Sequence, residues 1–328
     1  MPTPLIISET DIQPLLTDAA QIDGAIEACE KATLAEYAGR VRSIDMVDRT
    51  THEKPNLLQI HLATDDALVT GFQVFGATPG QPRPNTRFVV LLDGETRQFL
   101  GIVPYEGLSP LRVGASAGVA ARYLAPEGAT TVAMLGSSKQ ARRQLQAIVR
   151  TVPGITNARV FSATPENRER FAAETSEWLG IKVEAVDNAR DAVEGADIVD
   201  SSTNTRTPVF VWEWVKAGAL VMPIGGGQLP VEAIGAARIV VPTFDSTREE
   251  ATARDPLGAA IREGRLKQED VIELGAVVRG EAKVRKDPSD TVVFDVGRIN
   301  IWAVAVTHWA YEWCRERELG TQVNLSAP

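Results

Sequence analysis

Cysteine, histidine and clustered positive charge are all scarce in this chain, and each scarcity removes a class of function. Two cysteines, Cys29 and Cys314, stand far apart in 328 residues. They read as buried thiols of a reducing compartment, not as a disulfide framework. The three histidines, His52, His61 and His308, form no close set with cysteine, so no metal site is expected. Net charge is −9 with no long Lys/Arg block, which argues against a surface built to grip nucleic acid. No apolar run is long enough to span a membrane. The first residues, MPTPLIISETDI, have neither a charged n-region nor a long apolar stretch, so no signal peptide is expected and a cytoplasmic enzyme is the default. What the chain does have is apolar residues, 44% of the total, ample for the core of two domains or one large one.

From Thr130 onward, short apolar runs alternate with helical patterns. The expected strands are Thr131–Leu135, Ala158–Ser162, Lys182–Val186, Ile198–Ser201, Leu220–Pro223 and Ile239–Pro242. Between them, helices are expected over Lys139–Thr151, Pro165–Leu179, Ala189–Glu194, Val211–Ala217 and Val231–Ala236. That alternation implies βαβ units, a parallel sheet and a ligand at the carboxyl ends of the strands. The first part reads differently. Ile22–Tyr37 is a helix candidate, and Asn56–Ala63, Leu68–Phe75, Thr86–Asp93 and Thr96–Val103 look like antiparallel strands, with a hairpin signal at Asp93-Gly94-Glu95. A helical stretch is expected after about Asp245. Gly297–Leu319 is a long apolar helix candidate with three tryptophans, and it has no obvious place in a doubly wound sheet. The expectation is an α/β protein. Residues 126–296 form a Rossmann-type doubly wound domain for a dinucleotide. Residues 1–125 and 297–328 form a discontinuous α+β domain.

The most informative stretch is Thr130–Ala141, TTVAMLGSSKQA. A β-branched run ends in Gly136, and Ser137, Ser138, Lys139 and Gln140 lead into an amphipathic segment. A strand, tight turn and helix in this order point backbone N–H groups and the positive helix end at a phosphate. The usual fingerprint has a second glycine where Ser138 stands; a plain βα turn can look the same.

Four stretches taken together resemble the ornithine cyclodeaminase/μ-crystallin family: Leu108–Ala125 (LSPLRVGASAGVAARYLA), Met134–Leu145 (MLGSSKQARRQL), Ala196–Phe210 (ADIVDSSTNTRTPVF) and Glu273–Gly297 (ELGAVVRGEAKVRKDPSDTVVFDVG). The resemblance implies a Rossmann-type domain, a second domain that dimerises, a nicotinamide cofactor, and amino-acid or imino-acid chemistry. It places the carboxylate-binding arginine at Arg112 and a second arginine at Arg42; for Arg42 an exposed loop residue is the alternative. It places Ser202, Thr203 and Gly225 at the cofactor. A guanidinium can hold a carboxylate with two parallel hydrogen bonds.

The departures from the family pattern matter as much. The strand that carries the family's catalytic lysine reads Gly71-Phe72-Gln73-Val74, and Gln73 cannot act as an acid or base near neutrality. Where a cyclodeaminase has an aspartate after a glycine pair, this chain reads Ile224-Gly225-Gly226-Gly227-Gln228. A further family aspartate falls on Trp302. Cyclodeamination is therefore not expected. His61, one strand from Gln73, suits general-acid work, against the alternative of a strand histidine satisfied by hydrogen bonds. Asn300 is a substrate contact or a helix cap. The second strand ends Val160-Phe161-Ser162-Ala163-Thr164, with no acid to hold an adenosine 2′-hydroxyl. Ser162, Thr164 and Arg168 suit a 2′-phosphate instead, which favours NADP over NAD; Ser162 and Thr164 as caps of the helix at Pro165 are the alternative.

The reading is an NAD(P)-dependent oxidoreductase acting on C=N or C=O of a small carboxylate, an expected homodimer with no membrane or nucleic-acid partner. The alternatives are a μ-crystallin-like nucleotide-dependent binding protein and a lyase-type reaction with retained nicotinamide.

Overall fold

The computed structural model describes residues 3–49, 57–65, 67–77, 87–205, 207–224, 228–243, 256–296 and 300–325, with backbone alone taken for 45–49, 57–61 and 74–77. The chain divides into two compact units, Met1–Arg112 with Ile299–Pro328, and Val113–Arg298.

The second unit is built on an eight-stranded sheet. Its strands are β7 (Thr131–Leu135), β8 (Asn157–Phe161), β9 (Lys182–Ala185), β10 (Ile198–Ser201), β11 (Leu220–Pro223), β12 (Arg238–Val241), β13 (Val271–Glu273) and β14 (Val292–Phe294). The order across the sheet is β13-β12-β14-β11-β10-β7-β8-β9, and among the described residues its neighbouring strands pair in parallel. This is the parallel α/β sheet expected from the alternating pattern. From β7 the chain winds outward through β8 and β9, then returns to β10 on the other side. The strand order reverses between β7 and β10, the point at which open α/β sheets form a crevice at the carboxyl ends of their strands. All four residues of β10 are buried, as befits a strand covered on both faces.

Helices α4 (Lys139–Thr151), α5 (Pro165–Leu179) and α6 (Ala189–Val193) lie where the periodicity puts them. Two other expected helices are corrected. Val211–Ala217 contains only a single 3-10 turn at Trp212–Trp214, and Val231–Ala236 only one at Val231–Ala233. Gly218, at φ +79, ends the first of these segments, and both are too short to propagate a helix. Strands β13 and β14 are additions within a segment that otherwise reads as helical. β14 slots between β11 and β12, so chain order and sheet order diverge there.

The first unit holds a seven-stranded sheet in the order β15-β1-β6-β5-β4-β3-β2. The strands are β1 (Leu5–Ile6), β2 (Val41–Arg49), β3 (Leu57–Asp65), β4 (Val69–Ala77), β5 (Phe88–Asp93), β6 (Phe99–Pro104) and β15 (Thr321–Gln322). From β2 to β6 the pairs are antiparallel. Helix α1 (Glu9–Thr17) begins in a capping box made by Ser8 and Asp11. Helix α2 (Ile22–Tyr37) and the C-terminal helix (Asn300–Glu316) pack together in this unit. Trp302 is fully buried and its Nε1 donates to Thr33 Oγ1 at 3.0 Å. Gly71 makes room for the C-terminal helix, since a Cβ there would lie 2.7 Å from Val304. Among the described residues, no helix is long and apolar enough to cross a membrane.

Candidate functional site

The carboxyl end of β7 carries the candidate dinucleotide site of the second unit. Gly136 is buried with φ +122, and a Cβ on it would stand 2.3 Å from the Ser202 carbonyl oxygen. No other residue fits both the backbone angle and the approach. Gly136 N donates to Phe161 O and Ser202 N donates to Leu135 O, both at 2.8 Å, so the turn after β7 and the loop after β10 are fixed against each other. Ser138 is the N-cap of α4 and its hydroxyl accepts from Ala141 N at 3.2 Å. The serine that replaces the fingerprint glycine therefore has a structural task. Ser138 and Lys139 are exposed and Gln140 half-buried at the positive end of this helix. A glycine turn, a capped helix N-terminus and a switch-point crevice together fit a dinucleotide pyrophosphate.

At the end of β8, Ser137 Oγ donates to Ser162 Oγ at 3.0 Å. Thr164 occupies the N-cap position of α5 but makes no side-chain cap bond, so the capping alternative does not describe it. Arg168 is anchored: its guanidinium donates to Ser162 O at 3.2 Å and pairs with Asp187 at 2.5 Å. Gly225 lies outside the described residues.

Behind the crevice lies a polar cluster that sequence reasoning missed. Asp200 and Gln144 are fully buried, and Ser202 nearly so. Burial pushes the Asp200 carboxyl well above the usual carboxylate range. In one amide orientation Gln144 Nε2 donates to Ser202 Oγ at 3.1 Å and its oxygen faces Asp200, which suits a protonated carboxyl. In the opposite orientation the nitrogen donates to both Asp200 oxygens, at 2.5 and 2.7 Å, and the amide oxygen accepts from Ser202, which suits the ionised form. An acid inside the apolar run Ile198–Ser201 was the available signal. Gln228, 1% exposed, was also missed; its carboxamide accepts from Ser201 Oγ and donates to the Thr203–Thr205 loop.

The first unit carries Arg112, on α3 (Leu108–Leu124). Its Nε donates to Tyr105 Oη at 3.3 Å, and no carboxylate pairs with it among the described residues. Arg112 keeps some accessible surface, yet burial is the largest influence on its charge. The Tyr105 hydroxyl and Cys29 oppose that influence and hold its pKa above the ordinary value. The Cys29 thiol is itself pushed up to about 12 by burial, against the pull of Arg112, and is therefore no nucleophile.

Gln73 pairs in register with Val89 of β5, which pairs with Val103 of β6. Tyr105 follows two residues later, so the sheet brings Gln73 toward the same end as Arg112. Gln73 Oε1 is buried with no hydrogen-bond partner among the described residues. The backbone of His61 stands opposite Gln73; its side chain lies outside what is described. Arg42 lies on β2, opposite Thr64, and is exposed: a strand residue, not a loop one. Asn300 begins the C-terminal helix and is 7% exposed. Trp302 serves the core. Among the described residues no group of acids, histidines and cysteines could hold a metal ion.

The family model for the ornithine cyclodeaminase/mu-crystallin family matches residues 13–318. A Δ1-pyrroline-2-carboxylate reductase of Bacillus cereus is 29% identical over 244 residues, 72% of this chain and 74% of that protein. Among solved structures, the iminosuccinate reductase of Paracoccus denitrificans in complex with NAD+ has a TM-score of 0.86 at 25% identity, covering 99% of this chain and 100% of the other. The Δ1-pyrroline-2-carboxylate reductase of Thermococcus litoralis, in complex with NADH and L-proline, has a TM-score of 0.83 at 25% identity, covering 97% and 100%.

Proposed function

Because the chain belongs to the ornithine cyclodeaminase/mu-crystallin family, we propose that it is an NAD(P)-dependent oxidoreductase that reduces the C=N bond of a small 2-imino carboxylate. The observation that carries this reading is Gly136, held at φ +122 against the Ser202 carbonyl at the point where the strand order reverses. The relatives named above support the same chemistry.

When bound, the nicotinamide supplies the hydride, a two-electron step that no side chain performs. The chain's residues bind, orient and handle the proton. Arg112 Nε is engaged by Tyr105, which leaves its two Nη groups for a substrate carboxylate. Pairing there offsets the cost of burying the guanidinium. Gln73 Oε1, which has no partner among the described residues, accepts a hydrogen bond from the substrate N–H and orients it. Reduction of an imine to an amine consumes one proton besides the hydride. Gln73 cannot provide it, so His61, opposite it in the ladder, is the proposed donor. Arg42 and Asn300 are proposed substrate contacts of secondary weight. Around the dinucleotide, Gly136, Ser137, Ser138, Lys139 and Gln140 are proposed to meet the pyrophosphate, and Ser202, Thr203 and Gly225 the nicotinamide side. Ser162, Thr164 and Arg168 are proposed to meet the adenosine ribose. The lack of a carboxylate among Phe161–Thr164 favours NADP. A homodimer is the expected assembly, readable by sedimentation velocity.

One observation favours a second reading. Glutamines stand at positions 73 and 228, where the resemblance leads one to expect titratable groups, and a dinucleotide-binding protein with little turnover would tolerate both. Spectrophotometry separates the two. The enzyme reading expects oxidation of NADPH or NADH with at least one of a panel of cyclic 2-imino acids, iminodicarboxylates, or 2-keto acids supplied with an amine. Tight dinucleotide binding with no turnover across the whole panel favours the binding protein.

A further inference from the structure

The loop that follows β10 has little backbone structure of its own. After Ser202 N–H joins Leu135 O, residues 203–205 leave the sheet. Three hydroxyl bonds brace them internally: Thr203 Oγ1 to Thr205 Oγ1 at 2.8 Å, Thr205 N–H to Thr203 Oγ1 at 3.3 Å, and Thr205 Oγ1 to Thr207 O at 2.9 Å. Among the described residues, the further side-chain restraint comes from one distant residue. Gln228 Nε2 donates to Thr203 O at 2.9 Å, Thr203 Oγ1 at 3.0 Å and Thr205 O at 3.1 Å, while its Oε1 accepts from Ser201 Oγ at 3.1 Å. The amide orientation follows from chemistry: two carbonyl oxygens require a donor, and only the nitrogen end supplies one.

We infer that Gln228 is a positioning residue that clamps the 203–205 loop and so sets the width of the crevice opposite Gly136. The loop begins at Ser202, whose carbonyl oxygen is the nearest atom to the position a Cβ on Gly136 would take, so a displacement of residues 203–205 is passed to the surface that faces the glycine turn. That this surface receives a dinucleotide rests on the proposed function; the clamp itself rests on the hydrogen bonds alone. The carboxamide is matched to the task. A carboxylate of the same shape would set negative charge against two carbonyl oxygens and donate nothing, whereas a protonated carboxyl would restore one donor.

That last property gives the test. In the full-length Gln228→Glu protein, hydrogen exchange of the 203–205 amides is expected to quicken without ligand. Its Kd for NADPH, read by fluorescence, should rise about tenfold at roughly pH 8, the loss of a little over one buried hydrogen bond. The deficit against wild type should shrink to about threefold at roughly pH 5.5, as the carboxyl regains its proton. A purely structural defect would not recover on acidification. Should this variant fail to fold, Ser201→Ala removes only the hydroxyl that orients the amide oxygen and should raise Kd about threefold. Faster loop exchange with unchanged Kd overturns the positioning role, as does a deficit that is the same at both pH values. Wild-type protein that binds neither NADPH nor NADH sinks the oxidoreductase reading and this inference together, whereas binding that is intact in wild type and unaltered in the variants sinks the inference alone.

Discussion

The β7–β10 crevice and the surroundings of Arg112 and Gln73 bury polar groups in opposite ways. Around the β7–β10 crevice the buried groups answer one another: Asp200 meets Gln144, Gln144 meets Ser202, and Ser201 meets Gln228. In the first unit the largely buried Arg112 has a single neutral hydrogen-bond partner, and Gln73 Oε1 has none among the described residues. A protein interior seldom leaves a charge or a carbonyl in that state. The difference teaches where specificity lies. Under the proposed function, the crevice is finished by the fold and would recognise a ligand common to many proteins through backbone and helix dipole. The pair Arg112 and Gln73 would be completed by the substrate, an anion with an N–H beside it.

The sharpest way to break this comparison is to remove Arg112. Arg112→Met is expected to lower kcat/KM about a thousandfold, the scale on which a buried carboxylate loses its charged partner. Dinucleotide affinity should be unchanged and thermal stability little altered, since Arg112 loses only a neutral hydrogen-bond partner. A structural arginine would give the reverse, lost stability with activity retained. Arg112→Lys should recover little, because an ammonium cannot reproduce the fork. Next comes the crevice: Gly136→Ala forces a Cβ to within 2.3 Å of a carbonyl oxygen at φ +122. Calorimetry should show dinucleotide binding weakened about a hundredfold.

Smaller effects sharpen the contrast. Arg168→Ala should raise KM for NADPH about tenfold and leave KM for NADH nearly unchanged; equal changes would mean that Arg168 serves only its contacts with Asp187 and Ser162. Asp200→Asn should alter the pH dependence of stability. Burial raises the folded carboxyl's pKa above the ordinary 3.8, so the native state keeps a proton that the unfolded chain has released. The stability tied to that proton is complete below 3.8 and falls as pH rises through the folded value. The melting temperature of Asp200→Asn should therefore gain on wild type by a few degrees between about pH 4 and about pH 8. A constant difference would show that the carboxyl is ionised in the fold throughout.

Much of the crevice was legible in the sequence because its chemistry is local. A β-branched run, a glycine and a capping serine follow one another between Thr131 and Ser138. The parallel sheet followed from strand and helix alternating. The position of β14 did not, because Val292–Phe294 is too short to show a period and its neighbours β11 and β12 are chosen by tertiary packing. Gln228 shows in the sequence only as a departure from the family pattern; its hydrogen-bonding role depends on Ser201, 27 positions earlier. In the first unit, Tyr105 and Gln73 acquire roles only through antiparallel register and the packing of α3. The resemblance supplied Arg112; nothing in the local pattern shows that its Nε is taken by a tyrosine.

The account stands on a dinucleotide lodged at the β7–β10 reversal. Isothermal titration of the purified chain with NADPH and with NADH addresses it most directly. The prediction is saturable heat at one dinucleotide per chain, abolished or greatly weakened by Gly136→Ala. Absence of heat with both dinucleotides at millimolar concentration, or an unaltered isotherm in that variant, would contradict it.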